Sequence, residues 1–137
     1  RLVDSTTTIT GELFALLKQP SLLADLLDGD VGPNEGFLAG VRQAQGQDLL
    51  SLLFSVRAAR LLGSLPLEQS ASFTSGLLIG SDVRARLTDP SEAVHVLADA
   101  HLGGLYRCAI EELGGSAILV DSHAAFVAGI TRIWREL

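Results

Sequence analysis

Two Asp-x-His triplets, Asp99-Ala100-His101 and Asp121-Ser122-His123, stand 22 residues apart, each closing a short apolar run. Carboxylate and imidazole are both competent ligands for a divalent cation, so two converging triplets would make a metal site. The same residues have a simpler use. An Asp or Ser just ahead of a helix accepts hydrogen bonds from the free backbone N–H groups of its first turn. Capping needs no convergence of the two triplets. It is the expected role, and no metal site is expected.

Other residues offer chemistry of their own. Ser75-Gly76-Leu77-Leu78-Ile79-Gly80 sets two glycines four apart on one helix face, open to a flat ligand or to a closely packed neighbouring helix. The hydroxyls of Thr6, Thr7, Thr8 and Thr10, with the carboxylate of Glu12, suit a sugar, or simply a capped turn. Arg57, on the polar side of an apolar helix, can hold an anion or join a surface ion pair. His95, within a strand, reads as an edge or core histidine. The single cysteine, Cys108, reads as part of a buried helix face. No G-x-S-x-G elbow, P-loop or G-x-G-x-x-G is present, and Cys108 has no credible histidine partner, so no hydrolase reading survives.

The elements that must position these groups follow from apolar spacing and from breakers. Residues 2–9, rich in Thr and Val, read as a strand. Thr10 is expected to cap a helix over 11–18, stopped by Pro20. Ser21 is expected to cap a short helix through Leu27. Residues 28–33 form a loop whose Asp-Gly-Asp lacks the spacing of a calcium loop. Asn34 caps a helix to about Gln45. A helix over 49–62 carries Leu49, Leu50, Leu52, Leu53, Val56 and Leu61 at helical spacing, and a long helix over 68–87 follows. Then come a strand over 93–98, a helix over 101–113 stopped by Gly114-Gly115, a strand over 116–121 and a helix over 123–136. The last 45 or so residues are thus β-α-β-α, with parallel strands. The middle is helical, and the sheet is incomplete.

Composition bounds the class. The 137 residues suit one domain over 1–137, 47% apolar and 19% charged. Ten basic residues stand against sixteen acidic ones, a net charge of −6. The basic residues are scattered without interleaved aromatics, which argues against a nucleic-acid partner. No apolar run approaches the ~18 residues of a membrane span. One cysteine cannot form an internal disulfide, which fits a reducing, cytoplasmic setting. The chain has no initiator Met and opens on a strand-like run, and so reads as a piece of a longer protein.

Five stretches in order resemble the 2-dehydro-3-deoxygalactonokinase family, in its carboxyl-terminal half. They are Thr8-Ile9-Thr10-Gly11-Glu12-Leu13, Leu53-Phe54-x-Val56-Arg57-Ala58, Leu62-Gly63-x-Leu65-Pro66-x-Glu68-Gln69, Ser75 to Gly80, and Ala125-Phe126-x-Ala128-Gly129-Ile130. The resemblance covers essentially the whole chain. It implies an actin-like, ribonuclease H-like ATPase domain. It implies transfer of a phosphoryl group from ATP, with Mg²⁺, to a 2-keto-3-deoxy sugar acid in galactonate catabolism. It places Gly76, Gly80, Asp82, Ala98, Asp99 and Ala100 on the nucleotide side and Glu12 towards the sugar. Catalytic residues would lie in the amino-terminal half of such a kinase, and this chain alone would be inactive. The missing half, or a second copy, would pair with the open sheet edge. Where relatives carry small residues after the penultimate strand, this chain has Asp99 and His101. That departure motivates the alternative, a degenerate, non-catalytic kinase half that binds a ligand or partner.

Overall fold

The computed structural model describes residues 5–46 and 48–136. In chain order they form α1 (Thr10–Leu17), a 3-10 turn (Ala24–Leu26), α2 (Glu35–Gln43), α3 (Leu49–Leu61), α4 (Leu67–Arg86), β1 (Ala93–Ala98), α5 (Ala100–Glu112), β2 (Ser116–Asp121) and α6 (Ser122–Glu136). The result is a mixed α/β structure with a small two-stranded sheet. β1 and β2 run parallel, in register from Ala93 opposite Ser116 to Ala98 opposite Asp121.

α4 is the axis of the molecule. Twelve of its twenty residues are buried, from Ser70 through Gly80 and again at Val83. A helix apolar on one stripe would lie on the surface; burial all round marks a helix enclosed by others. One core cluster joins Leu77 and Leu78 to Leu52, Leu53 and Val56 of α3, with Leu23 and Leu27. A second joins Ile79 and Val83 to Phe37 and Val41 of α2 and to Leu105, Ala109 and Ile110 of α5. The buried hydroxyls of Thr74 and Ser72 in α4 are satisfied. Thr74 donates to the Ser70 carbonyl at 2.8 Å, and Ser72 donates to the Asp30 carbonyl while accepting from Asn34 Nδ2 at 3.0 Å. Ser72 thereby fastens the 28–33 loop to the core.

Helix boundaries follow local chemistry. Asn34 caps α2 by accepting from the Phe37 N–H at 3.0 Å, and Asp48 caps α3 through Leu50 and Ser51. α3 and α5 end alike. Gly63 and Gly114 take φ of 72° and 87°, the left-handed region open to glycine. The amides of Ser64 and Gly115 then reach back to the Ala59 and Ile110 carbonyls.

The structure departs from the sequence expectation at its start. Residues 5–9 form no strand, and residues 2–4 of the expected strand lie outside the described residues. A strand needs a partner for its N–H and C=O groups, and no described strand pairs with this segment. Thr10 is the first helical residue, not the cap: Ile9 holds the cap position without a side-chain bond. The expected short helix before Leu27 is one 3-10 turn, although Ser21 does accept the Leu23 N–H at 3.1 Å.

Candidate functional site

The sequence-distant segments 8–12 and 98–102 meet over α4. Between them lies a cavity of about 180 Å³. Phe14, Val31, Leu78, Ile79 and Leu105 supply apolar wall, and Thr10, Gly11, Ser75, His101 and Leu102 complete the lining. Its chemistry suits a small, flat, largely apolar group more than an ion.

Beside the cavity sits a buried-to-surface hydrogen-bond network. The Tyr106 hydroxyl donates to Asp82 Oδ2 at 2.6 Å, and Thr10 Oγ1 reaches the same oxygen at 3.4 Å. Thr10 Oγ1 also donates to Thr8 Oγ1 at 3.1 Å, and Thr8 Oγ1 lies 3.2 Å from the Tyr106 hydroxyl. Arg86 pairs with Asp82 Oδ1 from one helical turn away. Burial, and then the donated bond to the Asp82 carboxylate, push the Tyr106 hydroxyl above its ordinary pKa. Asp82 therefore ties α1, α4 and α5 together.

The expected site residues fall into three groups. Asp99 accepts the Leu102 N–H at 2.9 Å as the N-cap of α5, between Ala98 at the end of β1 and Ala100 in the first turn. Asp121 does the same for the Ala124 N–H at 2.6 Å. Both Asp-x-His triplets are caps at the carboxyl edge of the sheet, and among the described residues no group of three or more ligand side chains converges on a metal position. Asp82 lies close to the cavity but spends its carboxylate on Tyr106, Thr10 and Arg86. Glu12 is exposed in the first turn of α1, just past Gly11.

Gly76 and Gly80 form the third group, and they face away from the cavity. A Cβ on Gly76 would stand 2.1 Å from the Phe37 carbonyl oxygen, and one on Gly80 would stand 2.8 Å from Val41 Cα. Gly40 of α2 answers them, its Cβ position 2.2 Å from the Phe73 carbonyl oxygen. The space beside these glycines is filled by the α2 backbone, so no ligand takes it. Arg57 joins no ion pair among the described residues, and its Nη1 donates to the Leu22 carbonyl at 2.9 Å. His95 is exposed, and Cys108 is half-buried against the second core cluster.

Sequence reasoning missed Tyr106 and the cavity-lining role of His101. A signal for the first was present. Tyr106 is the chain's one tyrosine, on a helix face with Leu102, Ala109 and Ile110, and a hydroxyl brought near a core needs a partner.

Comparison with known proteins gives a consistent picture. A family model described as 2-keto-3-deoxy-galactonokinase matches residues 1–133. The chain is 37% identical over 134 residues to 2-dehydro-3-deoxygalactonokinase of Escherichia coli (strain K12), covering 95% of this chain and 46% of that protein. It is 29% identical over 144 residues to a probable 2-dehydro-3-deoxygalactonokinase of Rhizobium meliloti (strain 1021), covering 100% of this chain and 47% of that protein. A solved structure from Sinorhizobium meliloti, described as a 2-dehydro-3-deoxygalactonokinase, superposes with a TM-score of 0.81 at 29% identity, over 96% of this chain and 45% of its own. The chain spans about half the length of the curated relatives it matches.

Proposed function

The chain belongs to the 2-keto-3-deoxy-galactonokinase family, and on that premise we propose that it forms the nucleotide side of the cleft in a cytoplasmic, actin-like sugar-acid kinase. The full-length protein would transfer a phosphoryl group from ATP to 2-keto-3-deoxygalactonate. The observation that carries this reading is the shared cavity. It brings the Thr10-Gly11 junction, adjacent to Glu12, against His101 and Leu102, which directly follow the turn of Ala98, Asp99 and Ala100.

In this reading the turn 98–100 borders the nucleotide, and the apolar cavity beside it has the size and lining for a purine ring. The free N–H groups at the α5 amino terminus supply partial positive charge there. Asp99 Oδ1 is already held by the Leu102 N–H, and its negative charge would repel a nucleotide phosphate brought close to it. Asp82 acts by holding Thr10 and Tyr106 in place. Gly76 and Gly80 act by seating α4 against α2. Glu12 lies towards the sugar acid. Mg²⁺ would enter with the nucleotide, bound to its phosphates.

The open sheet has a proposed occupant as well. β1 and β2 have no further described strand beside them, α6 has no buried residue, and Leu97, Ile118, Phe126, Ile130 and Trp134 are exposed. Strands of the other half of a full-length kinase, or of a second copy, would pair with the open edge of this sheet.

The test is an assay of the full-length protein with ATP across related sugar acids. Turnover with 2-keto-3-deoxygalactonate and not with its relatives supports the reading. No turnover with any of them sinks it. The Asp99 carboxylate favours one other reading, a degenerate kinase half that binds without catalysis. Calorimetry with ATP and Mg²⁺ separates the two, because a degenerate domain that has lost the nucleotide site releases no binding heat.

A further inference from the structure

Among the described residues, Ser81 Oγ and the Nε and Nη2 of Arg84 are buried without a hydrogen-bond partner. The two residues are three apart on α4, so they lie on one side of that helix. Leu77, one turn before Ser81 on the same side, packs in the cluster with Leu52, Leu53 and Val56 of α3. The unpartnered groups thus lie just past the point where α4 leaves its contact with α3.

A guanidinium stays protonated in a protein, so burial cannot neutralise it by titration. A buried charge without a counter-charge is among the least favourable arrangements a fold can hold. No described acid serves Arg84. Glu35 and Glu112 pair with Arg42, Glu136 with Arg132, and Asp82 with Arg86. Asp89 is engaged by Ser91. The geometry of the orphaned atoms is specific. Nε–H and one Nη2–H leave the guanidinium in parallel along a single edge. That edge matches two oxygens of one carboxylate or phosphate.

We propose that Arg84 and Ser81 form an oxyanion site, in which the Nε/Nη2 edge of Arg84 grips two oxygens of one carboxylate or phosphate group and Ser81 Oγ–H donates to the same group. The oxyanion has two possible sources: a free phosphate or carboxylate ligand, or an acidic side chain from the remainder of a full-length family member. The inference stands independently of the kinase reading, since it rests on charge and burial alone.

The experiment titrates inorganic phosphate, and separately acetate, into the full-length protein and its Arg84→Lys, Arg84→Leu and Ser81→Ala variants. Melting temperature and calorimetry are the readouts. For a free ligand, phosphate or acetate raises the wild-type melting temperature saturably. Arg84→Lys, which keeps the charge but loses the fork, then weakens binding about tenfold, the worth of one charged hydrogen bond. For an internal carboxylate, the added anions change nothing, Arg84→Lys and Arg84→Leu both lower the melting temperature, and a crystal structure of the full-length protein shows an acidic side chain on Nε and Nη2. The proposal is overturned if Arg84→Leu is at least as stable as the wild type and the anions have no effect. It is equally overturned if phosphate binds all variants alike, or if Arg84 meets only backbone carbonyls in that crystal structure.

Discussion

Tyr106 of α5 gives its hydroxyl hydrogen to Asp82 of α4 across 2.6 Å, joining two helices through residues that lie 24 apart in the chain. Removing that hydroxyl by Tyr106→Phe is expected to cost about 1–2 kcal/mol, the worth of a hydrogen bond to a charged group that is not fully buried. Asp82→Ala removes the carboxylate acceptor of Tyr106 and Arg86 and the longer of the two bonds of Thr10, and is expected to cost about 2–3 kcal/mol. The double variant should lose less than the sum, because the two changes remove one shared bond. Urea denaturation of the three variants measures the coupling.

The same pair sets a pH dependence. The folded state holds the Tyr106 hydroxyl above its ordinary value near 10. A raised folded-state pKa means that the contribution is fully present below the unfolded value and is lost as pH rises through the folded one. The stability gap between wild type and Tyr106→Phe should therefore stay constant at neutral pH and close above about pH 10. A gap that widens in alkali would contradict the assignment.

Gly76→Ala should be severe. Its Cβ would collide with the Phe37 carbonyl oxygen, which belongs to backbone and cannot swing aside. The helices must separate, at a cost of about 3 kcal/mol or more, the upper range for overpacking. Gly104→Ala is the contrast. Nothing lies within 4 Å of its Cβ position in α5, so the variant should gain about 0.5–1 kcal/mol from helix propensity. Thermal unfolding of both variants distinguishes packing from conformational freedom.

Asp99 performs two separable tasks. Asp99→Ala should lose about 1 kcal/mol with the cap of α5. Asp99→Ser keeps a cap and removes the charge, so it should hold stability. In the full-length protein it should also tighten ATP about fivefold, an order-of-magnitude value for one unit charge near a phosphate at ~4 Å in a water-like medium. Unchanged ATP affinity in Asp99→Ser would place the turn away from the phosphates.

Zinc or manganese should leave the melting temperature unchanged, because Asp99 and Asp121 are committed to the Leu102 and Ala124 amides. A saturable rise with zinc that vanishes in His101→Ala would restore a metal at these turns.

Much of this was legible along the chain. β1 and β2 fall on the expected residues, 93–98 and 116–121, and the helices follow within a residue or two. Apolar periodicity and capping side chains act over a few residues, so a linear reading captures them. The Asp-x-His triplets, Asn34 and Gly114 are of this local kind.

Other features depend on what lies opposite. Whether Gly76 and Gly80 welcome a ligand or a helix was open until Gly40 and Phe37 of α2 filled the space beside them. The strand expected over 2–9 had the right residue types, yet residues 5–9 have no described ladder to join. A glycine face and a β-prone run state only what a backbone permits; the surface brought against them decides the outcome. The sequence by itself determined the order of elements after residue 9, the caps at Asn34, Asp99 and Asp121, and the family. Only the tertiary structure joined Thr8 and Thr10 to Asp82 and Tyr106, enclosed the cavity between α1 and α5, and left the Nε and Nη2 of Arg84 buried without a partner. Hydrogen bonds, burial and charge pairing act through space between residues that the chain keeps far apart.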